Sequence, residues 1–135
     1  MINKQYKAVF IDWDDTIGDF IGAAKLALHE MYGKYNLSDY FASHEEFVSL
    51  YKPHNIELWD KYGKDLVTKD FLRIDRFLWP LLHGSKTQNS KFKIQNLAAL
   101  AEQMSEDFLN LTTAHFSLLP GAEELVRYLA AKYPL

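Results

Sequence analysis

Val9-Phe10-Ile11-Asp12-Trp13-Asp14-Asp15-Thr16 (VFIDWDDT) is the stretch on which the fold turns, an apolar run that stops abruptly in acids. Residues 7–12 (KAVFID) predict a short strand buried on both faces, as in a parallel sheet, rather than a half-exposed alternating strand. In extended backbone Asp12 and Asp14 are two residues apart and leave on the same side. Carboxylates at the C-terminal end of such a strand stand where open α/β sheets bind their ligands. A pair placed this way can divide labour. One carboxylate attacks or holds a metal, and the other moves protons to a leaving group and from water. An Asp-x-Asp-x-Thr pattern arises by chance in roughly 2% of chains this long at ordinary residue frequencies. The apolar run directly before it makes the functional reading the stronger one, against a solvated acidic turn capped by Thr16.

Outward from this stretch the chain reads as helix. Asp19 predicts an N-cap for a helix over about 20–34, with Ile21, Ala24, Leu28 and Met31 at helical spacing and Gly33 and Asn36 closing it. Ser43 and Glu46 have the spacing of a capping box, opening a second helix that runs to about Tyr62 and is kinked or interrupted at Pro53. Thr68 caps a third, with Phe71, Ile74, Leu78 and Leu81 or Leu82 on one face and Pro80 distorting its end. Residues 84–90 form a polar loop. A long helix then carries Ile94, Leu97, Ala101, Met104, Phe108 and Leu111. Leu119-Pro120-Gly121 breaks the chain before a last helix that ends near Lys132. One buried-type strand has no partner in such a pattern, because unpaired ladder groups are costly, so the chain reads as the front half of something larger.

Composition narrows the field. The 135 residues carry 15 Lys and Arg against 18 Asp and Glu, a net charge of −3, which lacks the basic excess of a nucleic-acid binder. The absence of Cys excludes a disulfide framework, a thiolate zinc site and a cysteine nucleophile. No apolar run is long enough to span a membrane or serve as a secretory core, so a cytoplasmic protein is expected. The five histidines, His29, His44, His54, His83 and His115, lack ligand spacing and are expected as surface or packed residues. Arg73 and Arg76 could meet a substrate anion, although a solvated or salt-bridged face is the plainer expectation.

VFIDWDDT resembles the signature of the haloacid dehalogenase-like (HAD) superfamily of aspartate-nucleophile phosphatases. Leu118-Leu119-Pro120-Gly121-Ala122-Glu123-Glu124-Leu125 is similar to the return from the family's inserted helical cap. The resemblance implies an α/β fold. Residues 1–17 and 117–135 would form part of a Rossmann-like core, its first strand and one core helix, and 18–116 a helical cap, leaving this chain mostly α-helical. It also implies roles: Asp12 as nucleophile, Asp14 as general acid and base, and Thr16 at the phosphoryl oxygens. Asp15 falls in the variable slot and is given no chemistry.

Retention of Asp14 favours phosphatase chemistry over dehalogenation. A phosphate dianion facing two carboxylates needs a cation, and Mg²⁺ suits oxygen donors. The family holds it on the Asp12 side chain and the Asp14 carbonyl. The family's later Ser/Thr, Lys and further Asp are not in this sequence, so activity is assigned to the parent protein and the fragment alone is expected to be inactive. Trp59-Asp60-Lys61-Tyr62-Gly63 followed by Arg76-Phe77 resembles the cap of nucleoside 5′-monophosphatases acting on pyrimidine and noncanonical nucleotides. The implied partner is therefore a small phosphomonoester, a nucleotide first, with no nucleic acid and no membrane. A phosphoglycolate or sugar-phosphate phosphatase and a non-catalytic helical interaction module remain the alternatives, and the oligomeric state is left open.

Overall fold

The computed structural model describes residues 6–87 and 94–134. Five helices follow in order: α1 (Phe20–Lys34), α2 (His44–Gly63), α3 (Lys69–His83), α4 (Ile94–Ala114) and α5 (Ala122–Ala130), with a 3₁₀ turn at Leu37–Asp39 after α1. The starts of α1 to α3 obey local chemistry. The Asp19 carboxylate accepts the Gly22 amide, the Ser43 hydroxyl accepts that of Glu46, and the Thr68 hydroxyl accepts that of Phe71. Asn36 turns the chain with a left-handed φ of 49°. The Glu46 side chain departs from the box expected at α2. Its carboxylate takes the Ala42 amide and reaches across to the Ser85 amide at 2.7 Å and the Ser85 hydroxyl at 2.8 Å. The turn after α3 is thereby tied to the start of α2. Desolvation opposes ionisation of Glu46, and these hydrogen bonds outweigh it to hold its carboxyl below the usual range.

Helices α1 to α4 form a bundle in which α3 packs on both α2 and α4, and α4 also packs on α1. Its centre is aromatic. Phe47 lies beside Phe41 and Tyr51, and Tyr51 stacks on Phe77, which meets Phe108 edge-on at 5.5 Å. Leu28, Met31, Leu81, Leu97 and Met104 fill the space around these rings. Rings at such spacing combine area burial with favourable edge and offset contacts.

Pro53 and Pro80 lie inside α2 and α3 without ending them, so α2 is not interrupted at Pro53. Phe47 and Tyr51 before Pro53 and Leu58 after it are all buried, so packing on both sides offsets the lost backbone bond. The expected apolar faces also shift. Ile21, Phe71 and Ile94 are exposed, whereas Ala23, Leu72 and Phe77 are buried. Residues 88–90 of the expected loop lie outside the described residues.

The strand expected over 7–12 is not formed. Among the described residues the only bridges are isolated ones, Asp14 with Gly18 and Gly18 with Leu118. A strand exists through its neighbours, and here one rung is present, from the Val9 amide to the Pro134 carbonyl at 3.1 Å. Tyr6 and Tyr133 meet edge-on next to it. After α5 the chain thus returns beside residues 6–9, as the second strand of a β-α-β unit would. Phe10 is 98% exposed, and Leu125 and Tyr128 on α5 are also exposed. Within α5 only Ala122 is buried.

Candidate active site

The two linkers joining the bundle to the terminal segments run antiparallel and are pinned together. Asp19 donates its amide to the Ser117 carbonyl and Leu119 donates to Ile17, both at 2.9 Å. Gly18 lies between these bonds, beneath the ring of Phe116. A Cβ built on Gly18 would come within 2.6 Å of Phe116 Cε2, so any other residue there must displace that ring. Phe116 in turn stacks on Trp13, with ring centres 5.5 Å apart and planes 5° from parallel.

Between Asp14 and Gly18 the backbone makes one tight turn. The Trp13 carbonyl collects the amides of Thr16, Ile17 and Gly18, the last two at 3.0 Å. Asp15 sits at φ 55°, donates its amide to the Gly18 carbonyl at 2.8 Å, and accepts the Ile21 amide on its carboxylate at 2.9 Å. Asp tolerates the left-handed region better than most residues, and here its side chain also takes a free amide of α1. Sequence reasoning left Asp15 without a role. The signal it missed was an Asp-Asp pair directly before a capped helix.

Asp12, Asp14 and Thr16 are exposed. Thr16 donates its hydroxyl to the Asp12 carboxylate at a long 3.4 Å, so the turn brings these two together. Among the described residues no hydrogen bond is made to the Asp14 carbonyl. The Asp12 carboxylate and that carbonyl therefore offer hard oxygen donors of the kind Mg²⁺ takes. Among the described residues no cluster of three or more His, Asp or Glu could hold a metal ion, so these two groups alone do not make a site.

Asp14 lines a cleft of about 340 Å³ with Trp13, Phe20, Ala23, Thr112, Thr113 and Phe116. A separate apolar groove of about 300 Å³ runs from Trp13 and Ile17 along Ala122 and Val126 of α5. The larger cleft between α1 and α2, about 480 Å³, contains neither motif carboxylate, and of Asp12, Asp14 and Thr16 only Asp14 lines the cleft of about 340 Å³. Phe116 and the two threonines reach it from a hundred residues downstream.

The expectation for Arg76 is corrected. Arg76 is only 4% exposed, neither solvated nor salt-bridged, with its guanidinium 4.6 Å from the Phe108 ring centre and 5.2 Å from that of Phe77. It shares a face of α3 with Leu72 and Pro80, and that face is the core. Burial lowers its affinity for a proton, and burial also pushes the neighbouring Tyr51 hydroxyl up to about 12 against the pull of Arg76. Trp59 lies near the end of α2 against Tyr62 and is partly exposed. Two histidines pair with acids on neighbouring helices, His54 with Asp75 and His115 with Glu30. Among the described residues no helix is long and apolar enough to cross a membrane.

No family model matches the chain, and no curated protein matches it. Among solved structures it is similar to YfnB from Bacillus subtilis, described as a HAD-hydrolase whose magnesium-bound orthorhombic form reveals interdomain movement. The likeness has a TM-score of 0.72 at 27% identity and covers 96% of this chain and 52% of YfnB. The chain thus spans about half the length of that relative. Taken with the bundle and the turn at Asp12–Gly18, the similarity establishes a HAD-like fold.

Proposed function

We propose that this chain belongs to a Mg²⁺-dependent phosphomonoester hydrolase with an aspartate nucleophile, acting on nucleoside 5′-monophosphates. The observation that carries the reading is the turn at Asp12–Gly18, with two carboxylates and a threonine hydroxyl on Asp12, in a chain of HAD-like fold. In this reading residues 18–116 are the cap, and residues 1–17 and 117–135 are part of the core. The apolar groove along α5 packs on the rest of that core.

The Asp12 carboxylate attacks phosphorus, and the bond from phosphorus to the ester oxygen breaks as the new one forms. Asp14 gives its proton to the departing alkoxide. It then takes a proton from the water that attacks the aspartyl-phosphate, releasing inorganic phosphate and restoring Asp12. Thr16 orients Asp12 and meets a phosphoryl oxygen. The Asp12 carboxylate and the Asp14 carbonyl would hold the cation, which would supply neutralising charge between the carboxylates and the dianion.

The test is phosphatase turnover by the complete protein with Mg²⁺. Asp12→Asn abolishes it while leaving the fold intact, and more than a few per cent residual activity overturns the nucleophile assignment. Asp14→Asn is severe for poor leaving groups and milder for good ones. In a substrate panel nucleoside monophosphates lead, whereas a clear preference for phosphoglycolate or a sugar phosphate replaces the nucleotide assignment. Residues 1–135 alone show no turnover.

A further inference from the structure

Asp14, which the mechanism above asks to move two protons, has no side-chain support. Among the described residues its carboxylate makes no hydrogen bond, whereas that of Asp12 takes the Thr16 hydroxyl at 3.4 Å. The direction of Asp14 is therefore set by its own backbone. Its Cα lies between two planar peptide groups, and those planes fix where the side chain leaves. The plane before it carries the Trp13 carbonyl, which holds the amides of Thr16, Ile17 and Gly18. The plane after it carries the Asp15 amide, which donates to the Gly18 carbonyl at 2.8 Å. That second plane depends on a sparsely populated conformation, since Asp15 sits at φ 55°. What holds it there is the bond from the Ile21 amide to the Asp15 carboxylate at 2.9 Å. Ile21 is in the first turn of α1, where amides have no partner within the helix. The anchor is thus the first helix of the bundle rather than the turn itself.

We propose that Asp15 is a positioning residue for Asp14: by clamping the peptide between them to the start of α1, it aims the Asp14 carboxylate at the ester oxygen. The inference rests on the phosphatase reading above and adds to it a residue that touches no reacting atom. As the bond from phosphorus to the ester oxygen breaks, the proton of Asp14 passes to that oxygen. Misdirection of Asp14 harms this transfer, and a displacement of about 1 Å at a reacting group costs about a hundredfold. The loss falls on esters whose leaving oxygen needs the proton, and largely spares those that depart unprotonated. Attack by Asp12 does not use the clamped peptide.

The experiment measures kcat/KM for phenyl phosphate and p-nitrophenyl phosphate in the complete protein at saturating Mg²⁺. The two esters are close in shape and carry a poor and a good leaving group. Asp15→Gly keeps the left-handed backbone and removes the carboxylate. It lowers kcat/KM for phenyl phosphate about tenfold or more beyond its effect on p-nitrophenyl phosphate. Asp15→Asn retains an acceptor and stays within about threefold of the wild type on both. Ile21→Pro removes the donor instead, in a first helical turn where proline is tolerated, and reproduces the selective loss. Circular dichroism confirms that the variants fold. Equal losses on both esters in Asp15→Gly, or none on either, overturn the positioning role while wild-type turnover upholds the phosphatase reading. A selective loss as large in Asp15→Asn as in Asp15→Gly also overturns it, because the acceptor is then irrelevant. Absence of hydrolysis of every phosphate ester by the wild type overturns both.

Discussion

The Asp15 carboxylate accepts the backbone amide of Ile21 at 2.9 Å, from a residue whose own backbone is held at a left-handed φ of 55°. The bond joins the turn that presents Asp12 and Asp14 to the first turn of α1, where Asp19 already takes the Gly22 amide. Asp15 touches no reacting group in the proposed mechanism, yet it fixes the direction in which the bundle leaves the turn.

Replacing Asp15 separates its two contributions. Asn keeps both the tolerance of positive φ and an acceptor, Gly keeps only the first, and Ala keeps neither. Unfolding by urea should rank the variants Asn, Gly, Ala in falling stability, with Ala costing about 1–2 kcal/mol. An Ala variant as stable as the wild type would remove any role for the bond.

Gly18→Ala forces its new methyl against the Phe116 ring, which the Trp13 stack hinders from moving away. Overpacking of this kind costs about 1–3 kcal/mol, and the near-ultraviolet dichroism of Trp13 changes with it. The double variant Gly18→Ala/Phe116→Ala recovers part of the loss, because the clash has lost its second partner. Strict additivity of the two single losses would count against the contact.

Acid weakens the bundle at His44. Its Nε2 is buried without a partner, and burial lowers its pKa, helped by nearby His29 and opposed by Glu45. The unfolded chain, with a value near the ordinary histidine 6.5, binds the proton more readily than the folded one. Stability from this residue is therefore full above that value and falls as pH drops toward the lower folded pKa. Thermal melts at pH 7.5 and 5.5 should show a larger drop for the wild type than for His44→Gln. Equal drops would show that His44 titrates alike in both states.

Glu46→Ala releases the turn at Gly84–Lys86 from the start of α2. Three hydrogen bonds to a carboxylate are lost, and the Ser85 amide exchanges its hydrogen much faster. The stability loss is about 1.5–3 kcal/mol at neutral pH, and it shrinks as acid protonates the wild-type carboxylate, whose pKa lies below the usual range. A Ser85 amide that exchanges no faster in the variant would show the turn is held by other contacts.

Phe108→Ala removes the ring that packs against Phe77 and lies beneath the Arg76 guanidinium. The cavity and the bared charge together place this loss at about 3–5 kcal/mol by equilibrium unfolding. A loss under about 1.5 kcal/mol would mean the core collapses around the gap.

What could be read in advance was what is decided within a few residues. Asp19, Ser43 and Thr68 cap their helices because the partner amide lies three positions on, and the turn at Leu119-Pro120-Gly121 forms where Gly121 supplies a φ of 78°. Helix faces were less legible. α3 lies between α2 and α4, so its buried side is chosen by two neighbours, and Leu72, Arg76 and Phe77 turn inward while Phe71 stays out. The site divides the same way. Asp12, Asp14 and Thr16 sit within five consecutive residues and announce themselves, whereas Phe116, Thr112 and Thr113 meet Asp14 through a crossing that no local pattern encodes.

The paired linkers at Gly18 and Leu118 make the bundle a closed loop on its host, leaving and rejoining at one rung. The entropy of closing such a loop grows only with the logarithm of its length, so each doubling costs about 0.6 kcal/mol more. The bundle could therefore be lengthened, shortened or exchanged over evolutionary time with little penalty at its base. The turn carrying Asp12 and Asp14 would keep its shape throughout.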